Sequence, residues 1–209
     1  MSIEDIEEAA KLVREGLLIA YPTDTVYGLG CNPFDVDAVD RLVKAKDRVK
    51  GSLPILVSSL QDAKGLGEIS CSAERLANKF WPGPLTLVVP ARTSFPSKVT
   101  GDALLVGLRI PNHEIARRLI KECGGALIGT SANISGRPSL RTAEEVVNEL
   151  GDRVDMVVDG GPAPLGREST VVRVLGDEST VLREGAISRD DILKTLDVSR
   201  SLRLSGSDF

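Results

Sequence analysis

Apolar residues along this chain recur in two alternating periods. Ile3, Ile6, Ala10 and Val13 repeat every three to four positions, which predicts a helix opened by a Ser2-x-x-Asp5 cap and stopped by Gly16. The run 17–20 is short, continuously apolar and closed by Pro22, the pattern of a buried strand. Helical spacing returns at Val36, Val39, Leu42 and Val43 behind Asp35. A further strand is predicted at 53–57, with Pro54 near its start, where a missing donor costs least. A helix over 73–80 ends at Trp81-Pro82-Gly83-Pro84, which no regular element continues. Strands are expected at 85–89, 104–109, 126–128, 154–158, 169–174 and 179–183, the last two joined by a turn at Gly176-Asp177. Asn112 is expected to cap a helix through Ile115, Leu119 and Ile120. Thr142-x-x-Glu145 caps another, ended by Gly151, and Ser188-x-x-Asp191 a last one.

Helices and strands alternate, yet several strands follow one another directly, so the expected class is α/β with a mixed sheet. With no repeat, low-complexity tract or linker, the expectation is one domain over 1–198 and a flexible tail over 199–209.

Composition narrows the chemistry. The chain has 209 residues, 42% hydrophobic and 27% charged, the balance of a globular protein. The apolar runs are too short to span a bilayer and the N-terminus lacks a secretory pattern, so no membrane partner and a cytoplasmic location are expected. A net charge of −4 gives no global basic field for nucleic acid, although a local basic face remains open. Three dispersed cysteines without a C-x-x-C pair argue against a disulfide framework and a thiolate zinc site. A single histidine, His113, removes His-rich metal sites and most Ser-His or Cys-His mechanisms. Any enzyme here must work with Lys, Arg, carboxylates, hydroxyls, Asn and backbone amides.

Three polar segments could carry such work. Tyr21-Pro22-Thr23-Asp24-Thr25-Val26-Tyr27-Gly28-Leu29-Gly30 follows a strand, where open α/β sheets place ligands; it is also what a Pro/Gly turn looks like when Thr23 and Asp24 satisfy local backbone. Lys44, Lys46, Arg48 and Lys50 cluster at a helix C-terminus, either as a solvated basic end or as a polyanion clamp. Gly129-Thr130-Ser131-Ala132-Asn133-Ile134-Ser135-Gly136 lets backbone approach a ligand. A G-x-S-x-G elbow fails because Asn133 stands where glycine is needed, and neither a Walker A nor a complete dinucleotide fingerprint is present. Arg109 ends an apolar strand and needs an anionic partner. Arg183-Glu184-Gly185 could be no more than a strand-end ion pair.

Taken in order, these segments resemble the YrdC-like threonylcarbamoyl-AMP synthase family in its single-domain form. The resemblance runs from about Ile6 to Ile187. It rests on the Tyr21–Leu29 run, the K-x-R of Lys46 and Arg48, Trp81-Pro82-Gly83-Pro84-Leu85-Thr86, Gly107-Leu108-Arg109-Ile110-Pro111, Ser131-Ala132-Asn133-Ile134-Ser135-Gly136, Ser169-Thr170-Val171-Val172 and Leu182-Arg183-Glu184-Gly185. It implies a twisted, mixed-sheet YrdC-like fold with an open central cavity. The implied nucleotidyltransferase joins L-threonine, bicarbonate and ATP with Mg²⁺ into threonylcarbamoyl-adenylate, releases pyrophosphate and uses no permanent cofactor. The product feeds the threonylcarbamoyl modification of a tRNA adenosine, through a downstream transferase machinery.

By the same resemblance Lys46 and Arg48 are the catalytic cations. Lys46, Arg48, Ser131, Asn133, Ser139 and Arg183 face ATP, while Thr25, Arg109, Gly129 and Ser169 face threonine. No metal is assigned to protein side chains. The chain departs from the family pattern at Ser58, where many relatives have histidine, at Leu105, where many have threonine, and in the spacing from Arg48 to Pro54. Two other readings are a module binding tRNA or double-stranded RNA, and a same-fold enzyme using another carbamoyl donor.

Overall fold

The computed structural model describes residues 3–47 and 52–204, with side chains over 4–47 and 52–196. Ser2 and its expected cap, Arg48 and Lys50 of the cationic run, and 205–209 of the expected tail lie outside the described residues.

The chain opens with α1 (Ile3–Arg14), β1 (Ile19–Tyr21), β2 (Gly28–Gly30) and α2 (Val36–Ala45). Next come β3 (Ile55–Val57), α3 (Leu60–Leu66), α4 (Cys71–Phe80), β4 (Leu85–Pro90), α5 (Ser97–Thr100) and β5 (Leu105–Arg109). The second half holds α6 (Glu114–Glu122), β6 (Ala126–Ile128), β7 (Thr130–Ser131), α7 (Ala143–Leu150) and β8 (Met156–Val157). It ends with β9 (Thr170–Leu175), β10 (Glu178–Arg183) and α8 (Arg189–Leu204). The last helix runs into the segment where the sequence set a tail.

The strands are mixed as their succession implied, but they form two sheets where one was expected. One has the order β7-β2-β1-β8 and the other β10-β9-β4-β5-β3-β6. In the larger sheet β3 lies parallel to β5, and β4 parallel to β9; β4 and β5, β3 and β6, and β9 and β10 are antiparallel. One face of this sheet buries Ile55, Val57, Leu85, Leu87, Val89, Val106, Leu108 and Val172 in the main core. A second core holds Ile6, Ala10 and Val13 of α1 against Ala116, Leu119 and Ile120 of α6.

Local chemistry explains several boundaries. Asp35 caps α2 by accepting from the Ala38 N–H at 3.0 Å. Thr142 and Glu145 form a reciprocal capping box on α7. The expected cap of α6 is corrected: His113, not Asn112, is its N-cap, with its ring Nδ1 accepting from the Ala116 N–H at 3.5 Å. Strands β2 and β7 and helices α3 and α5 were not expected, because two- and three-residue strands and one- or two-turn helices carry too few positions for a period. The strand expected at 154–158 shrinks to Met156–Val157.

The glycines of the Tyr21–Gly30 run serve packing. Tyr21 pairs opposite Gly28 across β1 and β2. A Cβ at Gly30 would meet the Tyr21 ring at 2.7 Å, and one at Gly28 would meet it at 3.2 Å. The ring lies across both positions and donates its hydroxyl to the Ile128 carbonyl at 2.9 Å, tying β1 to the end of β6.

Candidate functional site

The period of two along the large sheet builds the site's wall. Residues facing away from the core line a cavity of about 710 Å³: Pro54 and Leu56, Thr86 and Val88, Gly107 and Arg109, Ser169 and Val171. The opposite wall comes from the smaller sheet's loops, Thr23–Gly28 and 129–137, and from the end of α2. Segments far apart in sequence thus meet on the sheet face turned away from the main core. The volume falls in the roughly 300–1,000 Å³ typical of small-molecule sites.

At the end of α2, Lys46 does not behave as a solvated basic end. It is 2% exposed. Its ammonium donates to the carbonyl of Ser131 and, at 2.7 Å, to that of Asn133, with the Asn133 Oδ1 at 3.5 Å. The Ser135 N–H returns a bond to the Lys46 carbonyl at 2.8 Å, while Asn133 Nδ2 donates to the carbonyls of Ile134 and Arg137. The K and S-x-N elements are therefore one clasp. Behind it Arg153 donates to the Ala45 carbonyl at 3.1 Å and to Asp47 at 2.8 Å, holding the chain where Asp47 turns into the left-handed region (φ 49°).

Arg109 supplies a second buried cation. Its Nη2 pairs with Asp24 at 2.5 Å, Nη1 donates to the Thr25 hydroxyl at 2.9 Å and Nε to the Gly83 carbonyl at 3.0 Å. The two side chains are 6% and 5% exposed. Burial pulls the Arg109 pKa down, and Asp24 pulls it back up. The Trp81-Pro82-Gly83-Pro84 turn has a reason to hold glycine: a Cβ at Gly83 would meet the Phe80 carbonyl oxygen at 2.4 Å, so only glycine brings its own carbonyl to the guanidinium. Two of the five guanidinium protons remain for an anion.

Thr25 is polarised by its neighbours. Thr23 Oγ1 must donate to the Val26 carbonyl at 2.6 Å, so in the 2.9 Å contact with Thr23 it is Thr25 that donates. Having also accepted from Arg109, Thr25 keeps one lone pair, for an N–H or O–H of a ligand.

On the large sheet, Thr86 and Ser169 hydroxyls lie 2.9 Å apart. Arg183 Nε and Nη2 donate to the Ser169 carbonyl at 3.3 and 3.0 Å, and Nη1 pairs with Glu168. The expected strand-end pair of Arg183 with Glu184 is thus replaced by one across the hairpin. A Cβ at Gly185 would meet Glu168 and Ser169 backbone at 2.3–2.4 Å, so this crossing requires glycine.

Of the residues singled out from sequence, Thr25, Lys46, Arg109, Gly129, Ser131, Asn133, Ser169 and Arg183 line the one cavity. Ser139 stands one bond behind the lining, donating to Glu168 at 2.6 Å. Arg48 lies outside the described residues. Ser58 points its hydroxyl at Asp62 (2.6 Å), with Ser59 donating to the same oxygen. Sequence reasoning missed Asp24 as the Arg109 partner, although the demand of a buried arginine for an anion pointed to one. It also missed Glu168 and Glu149, whose Oε1 accepts from the Ile134 N–H at 2.7 Å. Among the described residues, no group of three or more His, Cys, Asp or Glu could hold a metal, and no helix is long and apolar enough to cross a membrane.

Comparisons with known proteins bear on the chain as a whole. The Sua5/YciO/YrdC family model, described as "Telomere recombination", matches residues 11–185. Threonylcarbamoyl-AMP synthase of Pyrococcus abyssi (strain GE5 / Orsay) is 41% identical over 200 residues, covering 92% of this chain and 59% of the relative. The protein of that name from Bacillus subtilis (strain 168) is 40% identical over 193 residues, covering 90% of this chain and 55% of the relative. This chain therefore spans under three-fifths of the length of these two relatives. The crystal structure of P. abyssi Sua5 complexed with L-threonine superposes with a TM-score of 0.88 at 40% identity, over 93% of this chain and 58% of that one.

Proposed function

This chain belongs to the Sua5/YciO/YrdC family, and from that premise we propose that it condenses L-threonine, bicarbonate and ATP into L-threonylcarbamoyl-adenylate and pyrophosphate. The observation that carries the reading is the convergence of the Lys46–Ser131–Asn133 clasp, the Asp24-paired Arg109 and the Ser169–Arg183 corner on one cavity of about 710 Å³.

Threonine's amine and bicarbonate form a carbamate with loss of water. A carbamate oxygen then attacks the α-phosphorus of ATP, and the bond to the β-phosphate oxygen breaks as pyrophosphate leaves. Such a displacement asks the protein for position and charge, not for a nucleophile. Arg109, with two donors left, forks the threonine carboxylate. Thr25, left with an acceptor, takes an N–H or the hydroxyl of threonine. Gly129 faces the same end and is held to glycine by Leu56, which a Cβ would meet at 2.3 Å, and Ser169 completes the threonine end. Lys46 and Arg48 balance the triphosphate of MgATP, whose metal is carried in by the substrate. Ser131, Asn133, Ser139 and Arg183 hold the rest of the nucleotide. The product then passes to a transferase acting on a tRNA adenosine in the cytoplasm.

The test is pyrophosphate release from ATP and bicarbonate, with and without L-threonine, with L-serine as control. Release that requires threonine and is much slower with serine is the expected result. Release indifferent to threonine would replace the reading with carbamoyl chemistry on another donor. No release, with RNA binding that falls steeply with salt, would replace it with an RNA-binding module.

A further inference from the structure

Glu168 is an acid on the wall of the cavity that also carries Lys46, Arg109 and Arg183. Both of its carboxylate oxygens are engaged. Oε1 accepts from the Ser139 hydroxyl at 2.6 Å, and Oε2 accepts from Nη1 of Arg183. The remaining Arg183 contacts, from Nε and Nη2, go to the Ser169 carbonyl, with the Ser169 hydroxyl 3.4 Å from Nη2. One carboxylate therefore takes up donors of two residues that the proposed function sets against the nucleotide, and this inference rests on that reading.

We propose that Glu168 is a built-in competitor for the nucleotide's phosphates: ATP takes Arg183 from it, and Glu168 weakens ATP binding by doing so. A carboxylate accepts from Ser139 but cannot donate, so while the pair is made the Ser139 proton is committed and its oxygen offers a ligand only lone pairs. A phosphate oxygen has no proton to offer it. Release of Glu168 frees the Ser139 proton and the Nη1 donor together, and both can then go to acceptors on the nucleotide. The pair is open enough to be exchanged, with the Arg183 and Glu168 side chains 47% and 37% exposed, and exposed ion pairs are weak. A triphosphate brings several charged oxygens where Glu168 brings two, and a guanidinium forks to phosphate as readily as to carboxylate. The swap leaves Arg183 anchored to the Ser169 carbonyl, so the fork is exchanged without moving the strand that carries it.

The experiment is calorimetric titration of wild type and Glu168→Gln with MgATP and, separately, with adenosine, with Glu168→Ala as a second variant and circular dichroism to confirm folding. The amide keeps the shape and an acceptor oxygen but drops the charge. Removing one like charge at ~4 Å is worth about fivefold even in bulk water. The expected result is ATP binding tightened by about fivefold or more in both variants, with adenosine affinity unchanged. ATP binding that is unchanged or weaker in Glu168→Gln overturns the proposal, and so does equal tightening of adenosine, which would mean a change of shape rather than of charge. Wild type that binds no ATP at all removes the proposed function, and this inference with it, an outcome distinct from the others.

Discussion

At the scale of single residues, the site depends on buried cations whose charge is kept by specific neighbours. Arg109 is the clearest case, because burial works against its charge and Asp24 works for it. Removing one member of a buried pair costs about 3–5 kcal/mol, less when an isostere keeps the hydrogen bond. Asp24→Asn should therefore lower unfolding free energy by roughly 1–3 kcal/mol. It should also raise the KM for threonine at least tenfold, while the KM for ATP changes little. Urea unfolding and steady-state kinetics read the two effects separately, and an unchanged threonine KM would detach Arg109 from the threonine end. The need for this pair was readable from sequence, since an arginine ending an apolar strand requires an anion. Its partner was not readable, because residues 24 and 109 are neighbours only across two sheets.

At the scale of elements, capping decides where helices start, and one cap is titratable. His113 caps α6 through an unprotonated ring nitrogen. Its pKa lies below the ordinary 6.5, first because burial disfavours the imidazolium, with Asp24 and Glu114 pulling the other way. A lowered histidine pKa means the folded state binds its proton less readily than the unfolded state. Stability is thus fully present above pH 6.5 and is lost as pH falls below it. A cation at a helix N-terminus adds to that loss. Between pH 7.5 and 5, wild type should lose more Tm than His113→Asn, which keeps a cap that does not titrate. Parallel pH profiles for the two proteins would assign the loss elsewhere. Long periodic helices and apolar strands were legible in the sequence, and so were the caps at Asp35 and Thr142. The three-residue strand β2 was not, because Gly28 and Gly30 carry no side chain to show a period and owe their presence to the Tyr21 ring.

At the scale of the whole molecule, the cavity lies between two sheets, so a ligand that fills it bridges both walls and stabilises the folded state by mass action. MgATP at about 100 times its Kd adds about 2.7 kcal/mol, or roughly 5–10 °C in Tm for a chain of this size. Lys46→Ala should lose most of that shift, since it removes both a cation and the clasp that holds the 131–137 loop. A thermal-shift titration of the two proteins checks this, and an equal shift in both would move the nucleotide away from Lys46. By itself the sequence determined the mixed α/β class, the order of the long elements, the family and the motifs from which the site is made. These depend on local periodicity and on residue identities, which are properties of the chain read in order. Only the tertiary structure decided that Lys46 is buried against carbonyls rather than solvated, that Asp24 partners Arg109, and that Glu168 rather than Glu184 holds Arg183. The first two join segments distant in sequence, and the third is set by how the β9–β10 hairpin brings residue 168 beside Arg183; folding in three dimensions decides such contacts, and residue order does not state them.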